Sequence, residues 1–214
     1  MPDMQSEDRA PLTPESQPVA HGEDSSGADT PEGKNRFRWV LLISLVWIVI
    51  DQLTKIWAVQ RLTGSEPIDV IPGAVEFRLL YNSGAAFSIG TGNTWIFTIL
   101  ATVVVSVVLW QATKVRSLGW AWALALLIGG AGGNLVDRLV RDPSFAQGHV
   151  VDFIAFPNFP VFNIADIAVT SAAVLIALLS WRGIGLDGTR LEDEKASEPG
   201  VGSSDDTHRS DNDG

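Results

Sequence analysis

Residues 93–136 read NTWIFTILATVVVSVVLWQATKVRSLGWAWALALLIGGAGGNLV. Two uncharged apolar runs, Asn93 to Ala112 and Leu118 to Val136, flank a short turn that holds Lys114 and Arg116. A bilayer core about 30 Å thick needs about 20 helical residues, and both runs meet that length. They read as a helical hairpin crossing a membrane twice. Two more runs lie outside it. One goes from Trp39 to Val59 and admits Asp51 and Lys55; the other goes from Phe162 to Trp181 and admits Asp166. The expected fold is an all-α membrane protein, a four-transmembrane-helix bundle. Trp39, Trp95, Trp110, Trp120 and Trp181 sit near segment ends, where amphipathic rings favour the membrane interface.

Lys34, Arg36 and Arg38 precede the first span, Lys114 and Arg116 join the second to the third, and Arg182 follows the fourth. With four spans these clusters share one side, which the positive-inside rule makes cytoplasmic. Both termini are then cytoplasmic. The outer loops are residues 60–94 and 137–161. In the first, Glu76-Phe77-Arg78-Leu79 alternates after the turn signal Pro72-Gly73, which predicts a small sheet on the outer membrane surface.

The net charge of −10 belongs to the ends: residues 1–33 carry −7 and residues 183–214 carry −6, whereas 34–182 carry +3. Both ends are rich in acidic and small polar residues. Such composition cannot bury enough surface to offset its ordering entropy. Residues 1–33 and 185–214 are therefore expected to be disordered acidic tails around a membrane domain at 34–184. No removable leader is expected, because a polar stretch opens the chain where a basic and apolar one belongs. No nucleic-acid partner is expected. The absence of cysteine excludes disulfides, thiolate nucleophiles and cysteine-ligated metals. No paired-histidine motif stands in for them, so no metal is expected.

A charged side chain inside a membrane costs about 2.5–3.5 kcal/mol or more, so each acid calls for an account. At 1.5 Å per residue, Asp51, Asp166 and Asp137 lie roughly 18, 22 and 28 Å from the inner interface. All three fall in the outer half, and Asp152 can fold back from the second outer loop to the same level. Asp51 and Lys55 are spaced to pair on one helix face, as are Asn134 with Asp137 and Asn163 with Asp166. The run Gly129-Gly130-Ala131-Gly132-Gly133 suits close helix packing.

Two chemistries fit. One is a Ser–Lys dyad, with Lys55 near Ser83 or Ser88. The other is a carboxylate pair in which one member keeps a proton and the other activates water. Its candidates are Asp137, Asp152 and Asp166, and spacing alone does not choose two of the three. A proton-coupled transporter and a membrane scaffold are the rival classes.

Five motifs add to this reading: Asp51-Gln52-Leu53-Thr54-Lys55, Tyr81-Asn82-Ser83-Gly84-Ala85-Ala86-Phe87, Gly133-Asn134-Leu135-Val136-Asp137-Arg138, Gly148-His149-Val150-Val151-Asp152-Phe153 and Phe162-Asn163-Ile164-Ala165-Asp166. In this order, over about residues 39–182, the chain resembles lipoprotein signal peptidase, the bacterial signal peptidase II family of intramembrane aspartic proteases. The resemblance implies a cytoplasmic-membrane enzyme, monomeric and free of cofactor or metal. It implies cleavage of prolipoproteins just before a diacylglyceryl-modified cysteine, on a substrate that arrives through the membrane lipid. It implies Asp152 and Asp166 as the catalytic pair and an outer β-cradle built from the first outer loop. Asn163 is then expected to orient Asp166, and Asn82, in the loop entering the second span, to bind substrate backbone. Asn134, Asp137 and Arg138 are expected to support the site by pairing and hydrogen bonding. Asp51 and Lys55 are expected to hold the first span against the cluster, with Asp137 as the alternative catalytic acid. Ile167 stands after Asp166, where the family usually has Ser or Thr.

Overall fold

The computed structural model describes residues 34–84 and 94–190. Of the expected tails at 1–33 and 185–214, residues 1–33 and 191–214 lie outside the described residues, as do Ala85, Ala86, Phe87, Ser88 and Asn93. The elements run α1 (Phe37–Leu62), β1 (Ile68–Ile71), β2 (Val75–Asn82), α2 (Thr94–Ala112), α3 (Leu118–Val140), β3 (Val150–Ala155) and α4 (Ile164–Trp181). All four helices are long and apolar enough to cross a membrane. The four-span reading holds, with α3 one turn longer than its uncharged run.

The helix α3 is the axis of the bundle and the most buried of the four. It packs against α1, α2 and α4. Its glycine run makes this possible. Gly129 meets Ser44 and Trp47 of α1, Gly132 meets Ile48, and Gly133 meets Asp51. On the other side Gly130 meets the Ala165 carbonyl and Val169 of α4. A Cβ at Gly130 would collide with the Ala165 carbonyl oxygen, which is backbone and has no room to move. Overpacking costs about 1–3 kcal/mol. Gly130→Ala is therefore expected to lower the thermal midpoint in detergent by several degrees. Equal midpoints for Gly130→Ala and wild type would refute the close contact. Elsewhere the helices expose Leu41, Leu45, Val49, Leu100, Val103 and Val174, as lipid-facing surfaces do.

The expected sheet forms and has one strand more than its loop supplies. The order is β1-β2-β3, all antiparallel. The third strand, β3, comes from the second outer loop. Trp57 of α1, Phe77 of β2 and Phe153 of β3 meet edge to face at 5.4–6.2 Å. With Ala58 and Leu62 of α1 buried beside Phe153, they clamp the sheet onto the end of α1. In β3 every residue but Ile154 is buried, so Asp152 is held within packed structure.

At the opposite end the basic turn is tied to α1. Arg36 donates its backbone N–H to Val115 O at 3.0 Å and its Nε to Arg116 O at 2.9 Å. The tail boundary expected at 184/185 is corrected here. Arg116 and Ser117 donate backbone N–H groups to Leu186 O at 2.9 and 3.0 Å. Leu186 packs on the core beside Trp120, and a bridge pairs Ile184 with Arg190. Thr189 backbone N–H and hydroxyl donate to Asp187, which holds its carboxyl below the usual carboxylate range. Residues 185–190 thus belong to the folded body, because one apolar side chain and a hydrogen-bonded turn suffice to anchor them.

Candidate active site

Lys55 is fully buried, and its ammonium has three donors, all used. It pairs with Asp51 Oδ2 and Asp137 Oδ2 at 2.8 Å each and donates to Asn134 Oδ1 at 2.8 Å. Arg141 Nε pairs with Asp137 Oδ1 at 2.6 Å. The result is a charge-balanced tetrad of Asp51, Lys55, Asp137 and Arg141. Gln52 Nε2 bridges it, reaching Asp51 Oδ2 at 3.2 Å, Asp137 Oδ1 at 3.2 Å and Gly133 O at 3.0 Å. Backbone donors close it: Ala165 N–H to Asp51 Oδ1 at 3.0 Å and Val151 N–H to Asp137 Oδ2 at 3.1 Å. Four elements, α1, α3, β3 and α4, are pinned at this one point.

Beside the tetrad stand the other two aspartates, with Asn163 between them. Asn163 is fully buried and caps α4. Its Nδ2 donates to Asp152 Oδ1 at 2.6 Å and to Asn134 Oδ1 at 3.1 Å. Its backbone N–H donates to Asp166 Oδ2 at 3.0 Å, while its Oδ1 accepts from the Asp166 N–H at 3.1 Å. Asn163 and Asp166 were expected to share a helix face. They instead form a capping box at the helix start, so Asp166 lies in the first turn of α4 rather than inside the span. Asn134 Nδ2 donates to Asp166 Oδ1 at 2.9 Å. Asn82, expected in a loop, is the last residue of β2. The register sets Asn82 opposite Val150 and Leu80 opposite Asp152. Its Nδ2 donates to Asp152 Oδ2 at 2.9 Å, and its Oδ1 accepts from the Gly84 N–H at 2.8 Å.

Counting acceptor sites separates the three candidate acids, since a carboxylate offers about four. Asp137 receives four donors, two on each oxygen. Asp152 and Asp166 receive one on each oxygen among the described residues. Only these two retain sites for a shared proton and a water. Asp152 is buried, and burial, reinforced by the Asp166 charge, pushes its carboxyl up to about 6 against the hydrogen bonds from Asn82 and Asn163 and the Lys55 charge. Asp166 opens on a groove of about 680 Å³ lined also by Phe156, Phe159, Phe162, Ile167 and Thr170. Ile167 gives that wall an apolar side chain next to Asp166.

Arg138 was expected to support the site by pairing and hydrogen bonding. Arg138 does not pair with Asp137, which is saturated by Lys55 and Arg141. Its guanidinium lies over the Phe97 ring at 5.2 Å, its charge faces Asp152 and Asp137, and its Nη1 has no partner among the described residues. Gln52 and Arg141 were missed from sequence. Arg141 follows Asp137 by the same four-residue step that marked Asp51 and Lys55. The Ser–Lys option is not supported for Ser83, because Lys55 Nζ is already engaged by Asp51, Asp137 and Asn134. Ser88 lies outside the described residues.

The profile described as Signal peptidase (SPase) II matches residues 43–182. The chain belongs to the signal peptidase II family. It is 44% identical over 183 residues to the lipoprotein signal peptidase of Mycolicibacterium smegmatis, covering 84% of this chain and 77% of that one. With the lipoprotein signal peptidase of Mycobacterium tuberculosis it shares 41% over 173 residues, 79% of this chain and 86% of the other. That of Leifsonia xyli subsp. xyli is 43% identical over 156 residues, 72% of each chain. A bacterial membrane enzyme solved by the in meso method at 1.9 Å resolution superposes with a TM-score of 0.62 at 29% identity, over 70% of this chain and 96% of that one. A second such structure, at 2.3 Å, gives 0.58 at 30% identity over 70% and 92%. The signal peptidase II match covers α1 from Ile43 onward, the whole of α2, α3 and α4, and every residue of the tetrad and of the asparagine-linked pair.

Proposed function

We propose that this chain is an aspartic endopeptidase of a bacterial cytoplasmic membrane that removes the signal peptide from prolipoproteins, cutting before the diacylglyceryl-modified cysteine. The observation that carries the assignment of roles is the acceptor count. Asp152 and Asp166 alone among the three candidate acids keep open sites, and one asparagine, Asn163, holds both.

In this reading the pair shares one proton. Asp152, the buried member, keeps it, and Asp166, open to the groove, carries the charge. The Asp166 carboxylate takes a proton from water as the water oxygen bonds to the scissile carbonyl carbon. The Asp152 hydroxyl donates its proton to the carbonyl oxygen. The tetrahedral intermediate then collapses: the C–N bond breaks, the leaving amine takes a proton from the pair, and a new carboxyl terminus stays on the signal peptide. Arg138, whose Nη1 has no partner among the described residues, supplies a donor for substrate backbone. Asn134 and Asn163 hold the pair in register with the Lys55 tetrad. No cofactor or metal enters. The protein works as a monomer with both termini cytoplasmic. Its substrate arrives laterally through the lipid, and the acids lie near the outer face, where the signal helix ends.

The test is a gel-shift assay with the purified full chain in detergent and a diacylglyceryl-modified prolipoprotein, run from pH 5 to 8. Cleavage is expected for the modified substrate only. The competent pair holds one proton, and that proton is lost as pH rises through about 6. The value of kcat/KM, which reports the free enzyme, is therefore expected to fall with rising pH above that point, by up to about tenfold per unit. A profile flat from 5 to 8 would remove Asp152 as the proton-holding member. No cleavage by well-folded wild type would return the transporter reading.

A further inference from the structure

The aromatic wall of the Asp166 groove has a second side. Phe156, Pro157 and Phe159 line that groove, and they also line a separate cavity of about 310 Å³ on the sheet. The wall is fixed. Phe162 stacks on Phe156 at 5.5 Å and meets Phe159 edge-on at 5.9 Å. Phe162 itself is tied to β3, donating its N–H to Ile154 O at 3.0 Å and accepting from Ile154 N–H at 2.8 Å. The two cavities differ in chemistry. The groove is apolar apart from Asp166, Thr170 and Ser171, whereas the sheet cavity gathers Asp69 of β1 and Glu76 and Arg78 of β2.

A substrate of the proposed reaction has two halves of unlike character joined at the scissile bond. The signal segment is an apolar helix that the membrane holds. The segment after the modified cysteine is polar, and its backbone groups have no partners inside lipid. For a chain with its scissile bond at the acid pair, a polar cavity lies across the aromatic wall of the groove.

We propose that the cavity lined by Asp69, Glu76 and Arg78 is a specificity subsite for the first residues of the mature lipoprotein, just after the modified cysteine, and that it favours a basic side chain there. The inference rests on the proposed peptidase reading. The charge balance supports the preference. Arg78 and Glu76 stand 3.5 Å apart, exposed at 53% and 35%, so the pair is weak. Asp69 has no ionic partner among the described residues. One carboxylate is left uncompensated beside the path.

The test uses three diacylglyceryl-modified prolipoproteins that differ only in the second and third residues after the cysteine: two serines, two lysines or two glutamates. Each is cut by the full-length wild type and by the double variant Asp69→Lys, Glu76→Lys. The readout is the lysine-to-glutamate ratio of kcat/KM within each enzyme, so a change in overall activity does not enter it. Wild type is expected to prefer the lysine substrate about two- to fivefold, as exposed charges allow. The preference shrinks in high salt, and the double variant reverses it. Equal rates of wild type on all three substrates overturn the subsite and leave the peptidase reading standing. A preference that survives unchanged in the double variant shows that other residues set it and overturns the assignment to this cavity. Failure of wild type on all three substrates overturns the peptidase reading and this subsite with it.

Discussion

Asp166→Asn, and separately Asp152→Asn, is expected to lower the cleavage rate by about 10²–10⁴-fold, the span that general acid–base groups supply. The protein should remain folded. Both side chains lie beside the Lys55 tetrad rather than in it, and each accepts only single amide hydrogen bonds. An asparagine keeps one acceptor oxygen and the same volume. A paired measurement gives the prediction its edge. Two residues that share one proton act as a unit, and such effects do not add. The double variant Asp152→Asn, Asp166→Asn should be hardly worse than either single. Kinetics and thermal midpoint are measured on the same preparations. A single variant that retains more than a few per cent of wild-type activity overturns the dyad. So does a double variant whose loss is the product of the two singles. Asp137→Asn behaves differently in this account. It removes one charge of the tetrad, so the midpoint falls first and activity follows the folded fraction.

The membrane spans were readable from sequence because a bilayer sets a length requirement, and an uncharged run of that length has few other uses. The rest of the site was less legible for identifiable reasons. β3 reads Val150-Val151-Asp152-Phe153-Ile154-Ala155 with nearly every side chain buried. A strand covered on both faces shows no alternation, so it carries no period to detect. Asn163 and Asp166 had the right spacing for a helix face, but the same spacing defines a capping box, and only the backbone distinguishes them. Spacing placed Asp137, Asp152 and Asp166 near one another without ranking them. The ranking depends on how many donors each receives, and those come from β3 and α4 backbone, Gln52 and Arg141, contributions that do not exist until the chain is folded. Arg138 shows the reverse case. It was expected to support the site by pairing, and the folded helix gives its neighbour Asp137 to Lys55 and Arg141 and leaves the guanidinium facing Asp152.

Lys55→Met is expected to have the largest effect on folding. The tetrad is balanced, and its Asp51, Lys55 and Asp137 members are 0–1% exposed. Removing one partner of a buried ion pair costs about 3–5 kcal/mol, because the remaining charge stays buried and unpaired. That is comparable to the whole stability of many domains, so little folded protein should be recovered in detergent. A structural and a catalytic lysine then differ in what rescues the variant. With Lys55 gone, Asp51, Asp137 and Arg141 carry one negative charge too many. Lys55→Met combined with Asp51→Asn restores balance, leaving Asp137 with Arg141. Asn134 loses the Lys55 donor but still accepts from Asn163 at 3.1 Å, so the carboxamide that holds Asp166 keeps an anchor. The double variant should regain most of the thermal midpoint and, with it, activity within about 10- to 150-fold of wild type, the scale of one lost hydrogen bond to a charged group. A serine nucleophile activated by Lys55 predicts the opposite: restored folding with no cleavage. A Lys55→Met single variant that melts like wild type but cuts nothing would also refute the structural role, since a buried ammonium between two carboxylates cannot be removed from this fold without that cost.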